Sequence, residues 1–251
     1  MIRRMSALLT ATLLGAGGLA GTAHADVDPP ADEASVTAYI EKTIEDSAYP
    51  YWEKWLKSHQ LQPYPPLYEI IQRGEVYKSA CDETAIGSDD PNVFYCLRDV
   101  QKDGALYEGE LVFPVETMLA MQLGEVNGKY SEKAGEFTVA TTVAHEMGHW
   151  VQDVLVDQKA QLPLRPGKHR ELMADCFSGV WAGAQGEGSL TVADFEAAVE
   201  SREKVGDEEF ANPDHHGTPQ ERANAWKIGF FGLSNNAGSY PENCINEYWR
   251  S

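Results

Sequence analysis

The sequence predicts an α+β fold that is mostly helical and carries a small antiparallel or mixed sheet. Long segments of the C-terminal half repeat their apolar residues at helical spacing. Shorter runs in the N-terminal half, bounded by Gly and Pro, have strand character. The 251 residues are 43% apolar and 24% charged, which suits one medium-sized packed core and argues against a disordered chain.

Residues 1 to 25 open with Arg3 and Arg4, continue as an uncharged run from Met5 to Ala23, and end in the small-residue sequence AHA. That is the pattern of a secretory signal cleaved after Ala25. The competing reading is an uncleaved membrane anchor, because the run is nearly long enough to span a bilayer. Its glycines and small-residue exit favour cleavage. Residues 26 to 33 read as a flexible lead-in, and residues 34 to 251 as a single domain. A helix is expected over SVTAYIEKTIEDSAYPYWEKWLKS, with Val36, Tyr39, Ile40 and Ile44 on one stripe and a break or kink at Pro50. PPLYEIIQRG is a short strand. GALYEGELVFP, with Tyr107, Leu111 and Phe113 in alternation, is a second. Three helices follow: GEFTVATTVAHEMGHWVQDVLVDQ, KHRELMADCFSGVWAGAQ and LTVADFEAAVESREKV. A fourth begins at TPQE, where Thr218 is the N-cap, Pro219 the first helical residue and Glu221 the partner in a capping box.

Removal of Arg3 and Arg4 with the signal takes the formal net charge from −19 to −21. Such a chain repels phosphate backbones and anionic lipid, so nucleic acid is excluded as a partner, as is a membrane once the signal is cleaved. The acidity suits a soluble exported protein. In an oxidising compartment the four cysteines read as disulfides, with three possible connectivities. Cys81 and Cys96 flank a polar, turn-rich loop and could close it, which would leave Cys176 with Cys244. One pair plus two buried thiols is the alternative.

The chemistry lies in HEMGH. Four residues apart on a helix, His145 and His149 share a face and can reach one metal ion. Glu146 stands beside them, placed to take a proton from water without occupying a coordination position. A catalytic zinc takes three protein ligands, so a third is expected. ELMAD offers Glu171 as that ligand. One turn on, Asp175 can accept a hydrogen bond from a ligand histidine, most naturally His145. The alternative HExxHxxGxxH pattern is absent, since Gln152 and Leu155 stand at its last two fixed positions. His169 is two residues from Glu171 and points elsewhere. In DHHGTPQER, His216 is a candidate for stabilising an oxyanion, against a reading in which it shapes the loop and Arg222 bonds nearby backbone. A tyrosine, or no side chain at all, would serve as the alternative oxyanion partner. His215 is read as a loop residue.

The blocks SAC, VFYC, GEFTVATTVAHEMGHWVQ, ELMADCFSGVWAGA and HGTPQERANAWKIGF, in that order, resemble the bacterial neutral zinc metallopeptidase family over roughly residues 35 to 245. More distantly, the Glu-x-x-x-Asp helix resembles thermolysin-like gluzincins. The resemblance implies a zincin-like fold, zinc at His145, His149 and Glu171, a catalytic Glu146, and the Cys81–Cys96 pairing. It also implies that the strand at residues 106 to 113 offers an edge to an extended peptide. The chain departs from the family at Leu97, where Pro is common, and at Glu221, where Gln is common.

The reading is an exported zinc-dependent endopeptidase with one Zn2+ and a peptide or protein substrate, secreted to the extracellular space. Two alternatives stay open. One is a non-catalytic zinc module, for which an intact Glu146 has no use. The other is a zinc amidase acting on cell-wall or other non-protein amides. No feature assigns an oligomeric state.

Overall fold

The computed structural model describes residues 31–81, 84–158, 167–186, 189–212 and 215–249. The proposed signal, residues 1 to 25, lies outside the described residues, as do the lead-in to residue 30 and the connection at 159–166. Asp32 caps the first helix, α1 (Glu33–Lys42), in a capping box with Ser35, so the helix starts at the last residue of the expected lead-in.

The chain does not break at Pro50. After α1 it widens into a π-helical turn (Thr43–Ala48) and re-enters α-helix as α2 (Tyr49–Ser58), with Pro50 in the first turn. The wider turn loosens the backbone where the proline ring would meet the preceding carbonyls, and the missing N–H falls near a helix start. The helical path therefore continues. Val36, Ile40, Ile44, Ala48, Trp52 and Leu56 are all buried along it.

Strands and short hairpins come next: β1 (Leu67–Ile71), β2 (Val76–Tyr77), β3 (Ile86–Gly87), β4 (Phe94–Cys96), β5 (Val100–Lys102), β6 (Ala105–Tyr107) and β7 (Glu110–Pro114). The second expected strand is thus two, with β6 in a hairpin with β5 and β7 in the main sheet. That sheet has the order β1-β7-β4, parallel between β1 and β7 and antiparallel between β7 and β4. Because β7 is buried at every position, its Glu110 needs internal partners. Tyr77 donates to one oxygen of Glu110, and Ser79 Oγ and the Ala80 amide, each at 3.0 Å, donate to the other. These bonds hold the segment leading to Cys81 against the sheet.

A helix not expected from the sequence, α3 (Val115–Gln122), and a hairpin, β8 (Glu125–Val126) with β9 (Lys129–Tyr130), lead to the central helix α4 (Glu136–Gln158). Then come α5 (Lys168–Gly183), α6 (Val192–Val205), α7 (Pro219–Phe231), the hairpin β10 (Gly232–Leu233) and β11 (Asn236–Ala237), α8 (Pro241–Cys244) and a π-helical turn (Ile245–Trp249). The capping box at Thr218 and Glu221 forms as its sequence dictates.

Helix α4 is buried from Phe137 to Leu155, so every face needs a partner. Its threonines use local and neighbouring acceptors. Thr142 Oγ1 donates to the Thr138 carbonyl at 2.9 Å, and Thr141 Oγ1 lies 3.0 Å from Ser178 Oγ on α5. Helices α5 and α7 pack backbone to backbone. A Cβ on Gly179 would lie 2.0 Å from the Trp226 carbonyl oxygen, and one on Gly229 would lie 1.9 Å from that of Cys176. Two disulfides, Cys81–Cys96 and Cys176–Cys244, complete the frame. No helix among the described residues is long and apolar enough to cross a membrane.

Candidate active site

Helix α4 brings His145, Glu146 and His149 to the floor of a cavity of about 740 Å³, and α5 brings Glu171 to the same wall. The two helices cross closely at Gly148, where a Cβ would stand 3.0 Å from the Ala174 Cα and carbonyl oxygen. Both histidines and Glu146 are 5% exposed. The imidazoles meet edge to face with centroids 4.8 Å apart.

His145 Nε2 lies 3.3 Å from Glu171 Oε2, and His149 Nε2 lies 3.4 Å from Glu171 Oε1. Ligand atoms at about 2.0–2.1 Å from a tetrahedral zinc are about 3.3 Å from one another. The three side chains, whose ligand atoms all fall within 4.8 Å, therefore fit a single ion of that size. Burial works against charge on Glu171, yet the two histidines hold its carboxyl well below the usual range. Burial pushes the Glu146 carboxyl up, with His145 and His149 pulling the other way.

Asp175, one turn beyond Glu171, is fully buried beneath His145. His145 Nδ1 is 2.8 Å from Asp175 Oδ1, a short approach that is oblique to the ring N–H. Two arginines complete the surroundings of this carboxylate. From α7, Arg222 donates through Nε to Oδ2 at 2.6 Å and through Nη2 to Oδ1 at 3.0 Å. From α6, Arg202 donates through Nη1 to Oδ1 at 3.2 Å and through Nη2 to Thr142 Oγ1 at 3.0 Å. Burial opposes ionisation of Asp175, but Arg222, His145 and Arg202 together keep its carboxyl far below the ordinary value. One carboxylate thus ties four helices together directly under the histidine face.

Arg222 therefore forks onto Asp175, whereas the alternative reading of its motif had it bonding nearby backbone; among the described residues no such backbone bond is made. Sequence reasoning missed Arg202. Its setting shows only in the packed structure, where Arg202 is the one charged residue on the buried stripe Ala197, Ala198, Ser201, Arg202 of α6.

Above the floor, Val93, Phe94 and Tyr95 line the cavity. The peptide-binding edge expected at residues 106 to 113 is not there. Strand β7 is the middle of its sheet and is bonded on both sides, so among the described residues β4 presents the free edge beside the cavity. Tyr95 clamps β4 to α4, donating to Asp153 Oδ2 at 2.6 Å and approaching the Glu108 carbonyl at 3.1 Å. His216 lines the same cavity with a side chain 54% exposed, whereas His215 is buried beside it. His169 lies in the first turn of α5, outside the His145–His149–Glu171 group.

Fold and site together define a class, an α+β, zincin-like chain whose central helix carries HExxH and whose next helix carries the third member of the group, the acidic Glu171. A family model described as "Putative neutral zinc metallopeptidase" matches residues 20–239, and the chain belongs to that family. It is similar to YpfJ of Escherichia coli, an uncharacterised protein, at 31% identity over 225 residues, 81% of this chain and 70% of the relative. It is also 29% identical over 127 residues to an uncharacterised protein of Mycobacterium bovis, 41% of this chain and 43% of that one. No solved structure matches.

Proposed function

We propose that this chain is an exported zinc-dependent endopeptidase. The observation that carries the reading is the convergence of His145, His149 and Glu171 beside Glu146 on one open cavity of about 740 Å³. A purely structural zinc site would be closed, with no place for water and no use for a buried base.

A zinc ion held by these three side chains supplies Lewis acidity, acidifying water and polarising a carbonyl. The protein's own residues do the rest. Glu146, its proton affinity raised by burial, takes the proton from the attacking water and delivers it to the leaving amine. Asp175 fixes the orientation of His145, and Arg202 and Arg222 keep Asp175 ionised. Strand β4 pairs with an extended peptide along its free edge. His216, on the cavity wall, donates from Nε2 as an imidazolium, with Nδ1–H on Asp207, to the oxyanion that develops as the carbonyl is attacked. The two disulfides and the signal-like residues 1 to 25 support export.

The test is hydrolysis of an unstructured protein substrate by residues 26 to 251. The reading predicts activity that a zinc chelator abolishes and added zinc restores. Activity indifferent to chelation, or a zinc-loaded chain inert toward peptides and proteins, would contradict it.

A further inference from the structure

We propose that Asp207 is a positioning residue that fixes the tautomer and direction of His216 on the cavity wall. For its consequence in turnover the inference rests on the endopeptidase reading. Its structural content rests on the loop alone.

The loop between α6 and α7 gathers its donors onto one carboxylate. Asp207 Oδ2 accepts the His216 amide at 3.0 Å and meets His216 Nδ1 at 3.3 Å. Its other oxygen accepts the Glu209 amide at 2.8 Å and meets His215 Nδ1. Attachment of both backbone and ring of His216 to one oxygen restricts how the side chain can turn. His215 braces the other side. His215 is 7% exposed and its ring packs on Phe210 at a centroid distance of 5.3 Å, which steadies the carboxylate from that side. The ends of the loop are joined by the Asp207 amide donating to the Gly217 carbonyl at 3.0 Å.

A carboxylate only accepts. Burial pushes the Asp207 carboxyl up, but the amides of His216 and Glu209 and the rings of His215 and His216 hold it far below the ordinary range. It is therefore ionised, and His216 Nδ1 must carry the proton. Nε2 is left as the atom through which His216 gains or presents a proton at the cavity, where Asp207 and His216 both line the wall. Without Asp207, a neutral histidine favours the opposite tautomer and turns freely, so Nε2 is no longer held toward one place and the imidazolium loses its carboxylate partner.

The test is long-range 1H–15N correlation of the imidazoles in the 15N-labelled, zinc-loaded chain, with His216→Gln used for assignment. Wild type should show neutral His216 protonated at Nδ1, and Asp207→Ala should move that proton to Nε2. Turnover should fall about 10- to 100-fold in Asp207→Ala, in kcat far more than in KM, with zinc content unchanged. Nε2 protonation in wild type, or no change in Asp207→Ala, overturns the positioning claim. An altered tautomer with undiminished kcat overturns its role in turnover. Should Asp207→Ala not fold, Asp207→Asn decides. With one acceptor lost, at least one of His215 and His216 must shift its proton to Nε2, and both staying at Nδ1 overturns the proposal. The tautomer needs no substrate, so a chain that cleaves nothing would sink the endopeptidase reading and leave this one decided on its own measurement.

Discussion

His145 Nδ1 and Asp175 Oδ1 lie 2.8 Å apart across the contact of α4 with α5, and the same carboxylate receives Arg202 and Arg222. Asp175→Ala removes the support of His145 and strands two buried guanidinium groups. Loss of one partner of a buried ion pair costs about 3–5 kcal/mol, and loss of the carboxylate that abuts a ligand histidine weakens a metal site about 10- to 100-fold. Urea unfolding and competitive zinc titration should show both effects. A stable variant with unchanged zinc affinity would refute this role.

Gly148→Ala tests how tightly α4 and α5 must cross. In an open helix the change would stabilise by about 1 kcal/mol. Here the new Cβ meets the Ala174 backbone at 3.0 Å, and the helices must part just where one carries the histidines and the other Glu171. The expected result is a lower melting temperature and weaker zinc binding. A raised melting temperature would mean that the contact has slack.

Acid should stabilise the fold where β4 meets α4, because it neutralises two buried carboxyls there, although the Tyr95 hydrogen bond itself favours the ionised form of Asp153. Burial, reinforced by neighbouring carboxylates, raises Glu108 to about 7 and Asp153 to about 6, above their ordinary values of 4.5 and 3.8. The folded chain then holds these protons more tightly than the unfolded chain. This contribution is fully present below about pH 4 and is lost as pH rises through about 6 to 7. Glu108→Gln with Asp153→Asn should flatten that fall in melting temperature between pH 4 and 7. An equally steep fall in the double variant would place its origin elsewhere.

The Cys176–Cys244 bridge closes a span of 68 residues, and Cys176 directly follows Asp175 on α5. Replacing both cysteines by alanine should cost about 4 kcal/mol by the loop-entropy argument. Differential scanning calorimetry of the double variant measures it, and an unshifted transition would contradict the estimate.

The placement of the HEMGH and ELMAD side chains was legible because helical periodicity alone puts residues four apart on one face. The Thr218 cap was legible for a similarly local reason. What escaped the sequence depends on tertiary context. Pro50 signals a break, yet a π-helical turn absorbs it. Residues 104 to 114 alternate as one strand, yet β6 and β7 belong to different pairings, and the free edge falls on β4. Arg202 and Asp207 look like surface charges in an acidic chain; only the packing of α6 against α4 and α5 shows what Arg202 meets, and only the path of the loop after α6 brings Asp207 to His216.

The most direct measurement is mass spectrometry of a diverse peptide pool incubated with zinc-loaded residues 26 to 251, beside the Glu146→Gln variant. The account predicts cleavage by the wild type, none by the variant, and equal zinc in both. Cleavage by Glu146→Gln at the wild-type rate, or no cleavage by either with zinc in place, would contradict it.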